Sequence, residues 1–214
     1  VYNRLLSGNF NLNILKFVDS LSYNLPFIEE GKNYLEYFIN NALKVDKSGN
    51  SLFIYSKDRG RGKTTLTHYI LFNTIRNFVN PGNYRSSRNY KFQHIEDFFE
   101  ENNKKDYVDY AYKATWFVLD DLGNEDKSSP WRREAMLSYL QRMLHYRRNN
   151  RLPTIITSNY DPEGISMLYE RELDSLLEIK SDYTLGGLLF RSIKVGGPED
   201  LRLIDVEDVW EDLC

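Results

Sequence analysis

The chain has 214 residues, enough for one domain of ordinary size or one with a small appendage, and 41% of them are hydrophobic, which suffices for a sizeable core. No apolar run approaches the ~18–20 residues that span a bilayer, no N-terminal stretch has the layout of a signal peptide, and the single cysteine, Cys214, excludes an internal disulfide or a cysteine metal cluster, so a cytoplasmic protein with no membrane partner is expected. The formal net charge of −3 excludes a globally basic nucleic-acid binder, while 28 lysines and arginines leave room for a local basic groove.

Residues 1–30 are rich in asparagine and leucine without clean periodicity, and Pro26 breaks any helix there. Tyr34, Leu35, Phe38, Ile39 and Leu43 recur at three- and four-residue steps, which predicts a helix from Gly31 to Val45. A polar turn, Asp46 to Asn50, precedes an apolar strand, Leu52–Tyr55. A glycine-containing loop follows, and then a helix from Lys63 to about Val79, stopped by Asn80-Pro81-Gly82-Asn83. Tyr90–His94 reads as a second strand, with a short helix through Phe98 and Phe99 after it. The third strand lies in Thr115–Leu119. Ser129-Pro130 is a helix start, with serine at the cap and proline at the first helical position, and that helix continues to about Arg148. Pro153–Thr157 is a fourth strand. Alternating strands and helices predict an α/β fold with a mainly parallel central sheet sandwiched by helices.

Three strand ends carry chemistry. After the first strand comes Lys57-Asp58-Arg59-Gly60-Arg61-Gly62-Lys63-Thr64-Thr65. A strand, a glycine loop ending in Gly-Lys-Thr and a helix form the arrangement that cradles nucleotide phosphates, because glycine lets backbone N–H groups approach an anion and the helix start adds a positive dipole end. The residues from Lys57 to Thr65 are therefore the candidate nucleotide-binding set. Within it, Lys63 reaches the β- and γ-phosphates and Thr64 presents its hydroxyl to Mg²⁺. Lys57 stands where the motif has its first glycine, so it is expected to adopt a conformation that glycine adopts more cheaply. The third strand ends in Asp120-Asp121. Asp120 is the candidate for the Mg²⁺ shell and Asp121 for orienting or deprotonating an attacking water. The fourth strand ends in Thr157-Ser158-Asn159, where the Asn159 amide either contacts the γ-phosphate or water, or merely caps the strand.

Read together, these motifs resemble the AAA+ helicase loaders of the DnaC/DnaI type. Leu119-Asp120-Asp121-Leu122-Gly123 looks like that group's Walker B signature, with Asp where most AAA+ proteins have Glu, beside a Walker A loop at Gly-Lys-Thr. Ser128 to Arg133, His145-Tyr146-Arg147 and Leu152 to Tyr160 look closest to the DnaI branch. The likeness covers roughly residues 50–205. It implies a P-loop NTPase fold of the AAA+/ASCE kind, with a small lid or none, divided into an N-terminal segment, 1–48, flanking the nucleotide site and an ATPase core, 49–214. It implies ATP and Mg²⁺ as ligands and slow ATP hydrolysis. The implied partners are a replicative hexameric helicase, single-stranded DNA and further copies of the chain, which associate through the ATP site. Gly187 to Ile193 resembles the segment carrying the arginine finger, which assigns that role to Arg191. Arg202 matches the second sensor arginine, which contacts nucleotide in cis.

Other readings stand beside this one. A transposition ATPase of the IstB type shares the core and acts on duplex DNA. A small-molecule P-loop kinase requires an arginine-rich lid that the sequence lacks. Adenine contacts are expected from residues 1–30. His68, His94 and His145 lack metal-ligand spacing and read as packing or surface residues. Arg147, Arg148 and Arg151 are either placed to suit the negative end of a helix dipole or contact DNA or a neighbouring subunit. Trp131-Arg132-Arg133 puts positive charge at a helix start, which favours a contact to nucleotide in trans or to DNA.

Overall fold

The computed structural model describes residues 2–20, 28–78, 89–97, 111–124, 130–169 and 190–196. Two helices, α1 (Tyr2–Leu6) and α2 (Leu12–Ser20), precede β1 (Ile28–Glu30). Then come α3 (Lys32–Asn40), α4 (Ala42–Ser48), β2 (Ser51–Tyr55) and α5 (Lys63–Phe78). The rest of the described chain is β3 (Tyr90–His94), β4 (Trp116–Leu122), α6 (Pro130–Asn149), β5 (Thr154–Ser158), α7 (Pro162–Leu168) and β6 (Phe190–Val195).

Six strands form one sheet in the order β1-β6-β2-β5-β4-β3. All neighbours are parallel except β1, which runs antiparallel to β6 at the edge. The sheet is therefore mainly parallel, as the strand and helix alternation predicts. β5 lies between β2, which feeds the phosphate loop, and β4, which ends in the two acids. All three motif-bearing strand ends thus face the same edge of the sheet, the carboxyl end where open α/β sheets bind ligands.

Two apolar layers sandwich the sheet. Leu52 and Ile54 of β2 point into one layer with Val118, Ile155 and Ile193, beneath α2 to α5. Phe53, the residue between them, points into the other with Phe117, Leu119 and Ile156, beneath α6 and α7. This alternation buries both faces of the central strands, which is why they read as continuous apolar runs. Burying a phenylalanine such as Phe53 or Phe117 stabilises the fold by about 2–3 kcal/mol.

Three local features depart from the sequence expectation. The segment 2–20, read as aperiodic, holds two helices whose Leu5, Leu15 and Val18 are buried. The helix expected over 31–45 is broken at Asn41, which has φ −111° and ψ 31°. The Asn41 amide donates to Tyr37 O at 3.0 Å, so the side chain competes with the helical ladder, and α4 restarts after it. The strands β1 and β6 extend the sheet beyond the four expected from sequence. The expected stop at Asn80–Asn83 and the helix through Phe98 and Phe99 fall outside the described residues. Among the described residues, no helix is long and apolar enough to cross a membrane.

Candidate functional site

The phosphate loop begins where β2 stops. Ser56 N–H donates to Ser158 O at 3.2 Å, tying the start of the loop to β5. Gly60 (φ 76°) and Gly62 (φ 83°) take left-handed backbone conformations that a side chain would strain. Lys57 has no positive φ, which corrects the expectation of a glycine-like conformation there: Gly60 and Gly62 supply the left-handed turns, and the start of the loop does not need one. Lys57 instead points away from the cleft and pairs with Asp161 at 3.0 Å.

α5 starts at Lys63, so the backbone N–H groups of its first turn face the phosphate loop. Lys63 is only 6% exposed. Its Nζ donates to Asn159 Oδ1 at 2.7 Å and Asp58 O at 3.4 Å. One residue on, Thr64 Oγ1 donates to Asp120 Oδ2 at 3.0 Å. The three motifs, up to 96 residues apart in sequence, meet here through direct side-chain bonds.

The two acids differ in environment. Asp120 is buried and also accepts a 2.7 Å hydrogen bond from Thr157 Oγ1. Burial pushes its carboxyl up, the bonds from Thr157 and Thr64 pull it down, and the neighbouring Asp121 charge pushes it up again. Asp121 has φ 63°, and its N–H donates to the same Thr157 hydroxyl at 2.9 Å. Its carboxylate lies 3.4 Å from His94 Nε2, and this bond holds it below the usual carboxylate range. The same contact raises the His94 imidazole. Asp120 is thus a buried carboxylate held by hydroxyls, and Asp121 is an accessible, ionised one.

Lys63, Thr64, Asp121 and Asn159 line a cleft of about 550 Å³, and Asp120 meets it through its bond to Thr64. One wall is the loop from Arg59 to Thr65, with Asp121, Asn124 and Asn159. The other is α2, through Asn13, Ile14 and Phe17. Arg59 donates to Asn124 Oδ1 at 3.2 Å, and Arg61 lies 3.4 Å from the Asp58 carboxylate. The cleft therefore has a cationic, N–H-rich end suited to a polyphosphate and an apolar end suited to a flat ring. The Thr64 hydroxyl and Asp120 carboxylate, 3.0 Å apart, fit Mg²⁺, which takes few protein ligands and completes its shell with phosphate and water.

Other sequence candidates lie elsewhere. Arg191, on β6 opposite Leu52 of β2, is not part of this cleft; its guanidinium sits 5.6 Å from the Tyr34 ring centre. Arg202 lies outside the described residues, as do the side chains of Trp131, Arg132 and Arg133. Arg147 lies in the last turn of α6, where the helix-dipole reading puts its cluster, but its side chain is buried and not open to DNA or a neighbouring subunit. It donates to Thr154 Oγ1 and to three backbone carbonyls, and it lies over the Phe117 ring.

The sequence reading missed the Thr157 bridge and His94; the α2 wall falls within residues 1–30, where adenine contacts are expected, without the individual residues being named. The register of parallel β3 and β4 puts His94 beside Asp120, so two polar strand ends on neighbouring strands were the available signal.

No protein-family model matches the chain, and no curated protein matches it in sequence. Solved structures do match in shape. DnaI is similar with a TM-score of 0.60 and 20% identity, over 90% of this chain and 94% of that one. The fold is that of AAA+ domains. The DnaC helicase loader is similar at a TM-score of 0.59 and 22% identity, over 83% of this chain and 95% of that one. The replication initiator DnaA bound to AMPPCP and single-stranded DNA gives 0.52 and 13%, over 91% of this chain and 54% of that one. At these identities the likeness is one of AAA+ architecture.

Proposed function

We propose that the protein is an ATP-dependent loader of a replicative DNA helicase, which uses ATP binding and slow hydrolysis as an assembly switch and contacts single-stranded DNA. The observation that carries this reading is the convergence of Lys63, Thr64, Asp121 and Asn159 on one cleft, with Asp120 bonded to Thr64, in a fold shared with DnaI and the DnaC helicase loader. The DnaA structure with AMPPCP and single-stranded DNA supports the same two ligand classes.

The phosphates of ATP lie on the loop N–H groups and the first turn of α5, and Lys63 offsets charge on the β- and γ-phosphates. Lys63 then exchanges its bond to Asn159 for phosphate oxygen. That exchange frees the Asn159 amide for the γ-phosphate or the water beside it. Thr64 and Asp120 would hold Mg²⁺, which would supply positive charge to offset that of the phosphates. Asp121 accepts a hydrogen bond from the attacking water and aims it, with its carboxylate held by His94. Adenine rests against Ile14 and Phe17. Arg191 serves the site of a neighbouring copy, where an arginine stabilises charge on the transferring phosphoryl group, so ATP promotes self-association.

The test mixes the protein with ATP, ADP or no nucleotide, with and without single-stranded DNA, and measures mass and DNA binding together. It then measures loading of a hexameric helicase onto single-stranded DNA. ATP-dependent assembly that retains DNA and is lost in Arg191→Ala is the expected result. A protein that neither binds a hexameric helicase nor alters its loading refutes the reading; ATP-dependent filaments on duplex DNA would favour a transposition ATPase.

A further inference from the structure

His68 is buried on α5, one turn after Thr64, and none of the steps above uses it. Its Nδ1 lies 2.8 Å from Thr64 O, and its Nε2 lies 3.2 Å from Asn11 N. A carbonyl only accepts and a backbone N–H only donates, so one arrangement satisfies both: a neutral ring with the proton on Nδ1. Phe10 and Phe92 pack against the ring, with centroids 5.1 and 5.2 Å away.

Asn11 is the anchor of α2. Its side-chain oxygen accepts the N–H groups of Asn13 (2.9 Å) and Ile14 (3.2 Å), and Leu15 N–H donates to its carbonyl. α2 in turn supplies Asn13, Ile14 and Phe17 to the cleft. Thr64, at the other end of the His68 bridge, bonds Asp120. One imidazole therefore spans from the phosphate-loop helix to the wall that faces the apolar end of the cleft.

We propose that His68 is a positioning residue for the nucleotide. By holding Asn11, it seats α2 on the helix that carries the phosphate loop and sets the width of the base end of the cleft. An apolar residue would fill the same space but take away the acceptor of the part-buried Asn11 N–H, so α2 would lose its tether to α5 at this point. The inference rests on the reading of this cleft as a nucleoside triphosphate site. It makes affinity for the base depend on a residue that touches no part of the ligand.

The test compares ATP with inorganic tripolyphosphate, which has the phosphates and no base, by calorimetric titration of the full chain. His68→Asn places an amide near Nδ1 and keeps the Thr64 bond alone. His68→Gln places an amide oxygen near Nε2 and keeps the Asn11 bond alone. ATP binding is expected to weaken about tenfold in His68→Ala and His68→Asn, the loss of one net hydrogen bond, and to recover to within about twofold of the parent in His68→Gln. Tripolyphosphate affinity stays unchanged in all three. Phe17→Ala gives the same selective loss of ATP, and adding His68→Ala to it weakens ATP little further, because both act on one wall. The proposal is overturned if His68→Ala binds ATP like the parent, if tripolyphosphate weakens in parallel with ATP, or if Asn and Gln are indistinguishable. Should His68→Ala fail to fold, the Asn and Gln variants decide. A parent protein that binds neither ligand removes the nucleotide reading itself, whereas a parent that binds both, with no selective effect at position 68, removes only the role of His68.

Discussion

Replacing Arg147 by methionine tests what a buried cation, with no carboxylate partner among the described residues, contributes to this fold. Its guanidinium donates to Thr154 Oγ1 (2.9 Å), Ala111 O (2.8 Å), Ala114 O (2.8 Å) and Pro153 O (2.7 Å). Two of these acceptors sit within other bonds: Pro153 O also receives Phe117 N–H at 3.3 Å, and Thr154 Oγ1 also donates to Leu152 O at 3.2 Å. The loss therefore concentrates on the Ala111 and Ala114 carbonyls, at about 1–3 kcal/mol each, or about 2–6 kcal/mol together. An opposing term exists, because burial lowers the guanidinium to about 9 and methionine carries no charge to desolvate. The net expectation lies toward the lower end, a destabilisation of about 3 kcal/mol. Urea unfolding measures it as a lower midpoint at unchanged slope. ATP affinity of the folded protein should be unaltered, since Thr154 opens β5 while Asn159 follows its other end. A loss under about 1 kcal/mol would refute the reasoning, and would mean that water or a shift of α6 satisfies the carbonyls.

Three further outcomes are expected. Lys63→Ala abolishes ATP binding, whereas Asp121→Ala spares binding and stops hydrolysis; normal turnover in Asp121→Ala would remove its water-orienting role. Thr157→Val removes the hydroxyl that bridges Asp120 and Asp121; the Mg²⁺ concentration that half-saturates turnover should rise about tenfold, in line with a bond to a charged group of about 1.5 kcal/mol. Stability should fall in acid because of His68, whose imidazole burial lowers to about 4 against the opposing bond from Thr64 O. The unfolded chain takes up a proton near pH 6.5 that the folded chain refuses, so this contribution is intact above pH 6.5 and declines as pH falls toward 4, by about 1.4 kcal/mol per unit and ~3 kcal/mol in all. Unfolding measured from pH 7.5 to 4.5 should show a shallower decline in His68→Gln than in the parent; equal slopes would exclude His68 as the source.

What the sequence made legible follows burial. β2, β4 and β5 are covered on both faces, and their apolar runs mark β2 and β5 to within one residue and β4 to within three, since its end runs on through the two acids to Leu122. β1 is three residues long with two glutamates, and β6 alternates buried Phe190, Ile193 and Val195 with polar residues, so neither has that signal. α2 is only nine residues long, so the apolar pattern that buries Leu15 and Val18 did not stand out as a period within residues 1–30. Within the site, Lys63, Thr64 and the two acids were legible because a ligand fixes their spacing along the chain. His94 and Asp121 touch only because β3 and β4 are neighbours in register, which chain order does not specify. The burial of Arg147 was not legible because two of the carbonyls that enclose it, Ala111 O and Ala114 O, lie 36 and 33 residues away in the chain.

The left-handed backbone at Asp121 bears on why a short carboxylate stands there. A residue with a Cβ normally costs about 1–2 kcal/mol in that region, and aspartate is among the side chains that tolerate it. The turn swings the carboxylate toward His94 and the cleft while its N–H stays on Thr157. Two consecutive acids are thereby sent in different directions: Asp120 stays in the interior on its hydroxyl partners, while Asp121 faces the cleft with His94 beside it. A single left-handed residue separates them, and the sheet itself keeps its register with β5 up to Leu119.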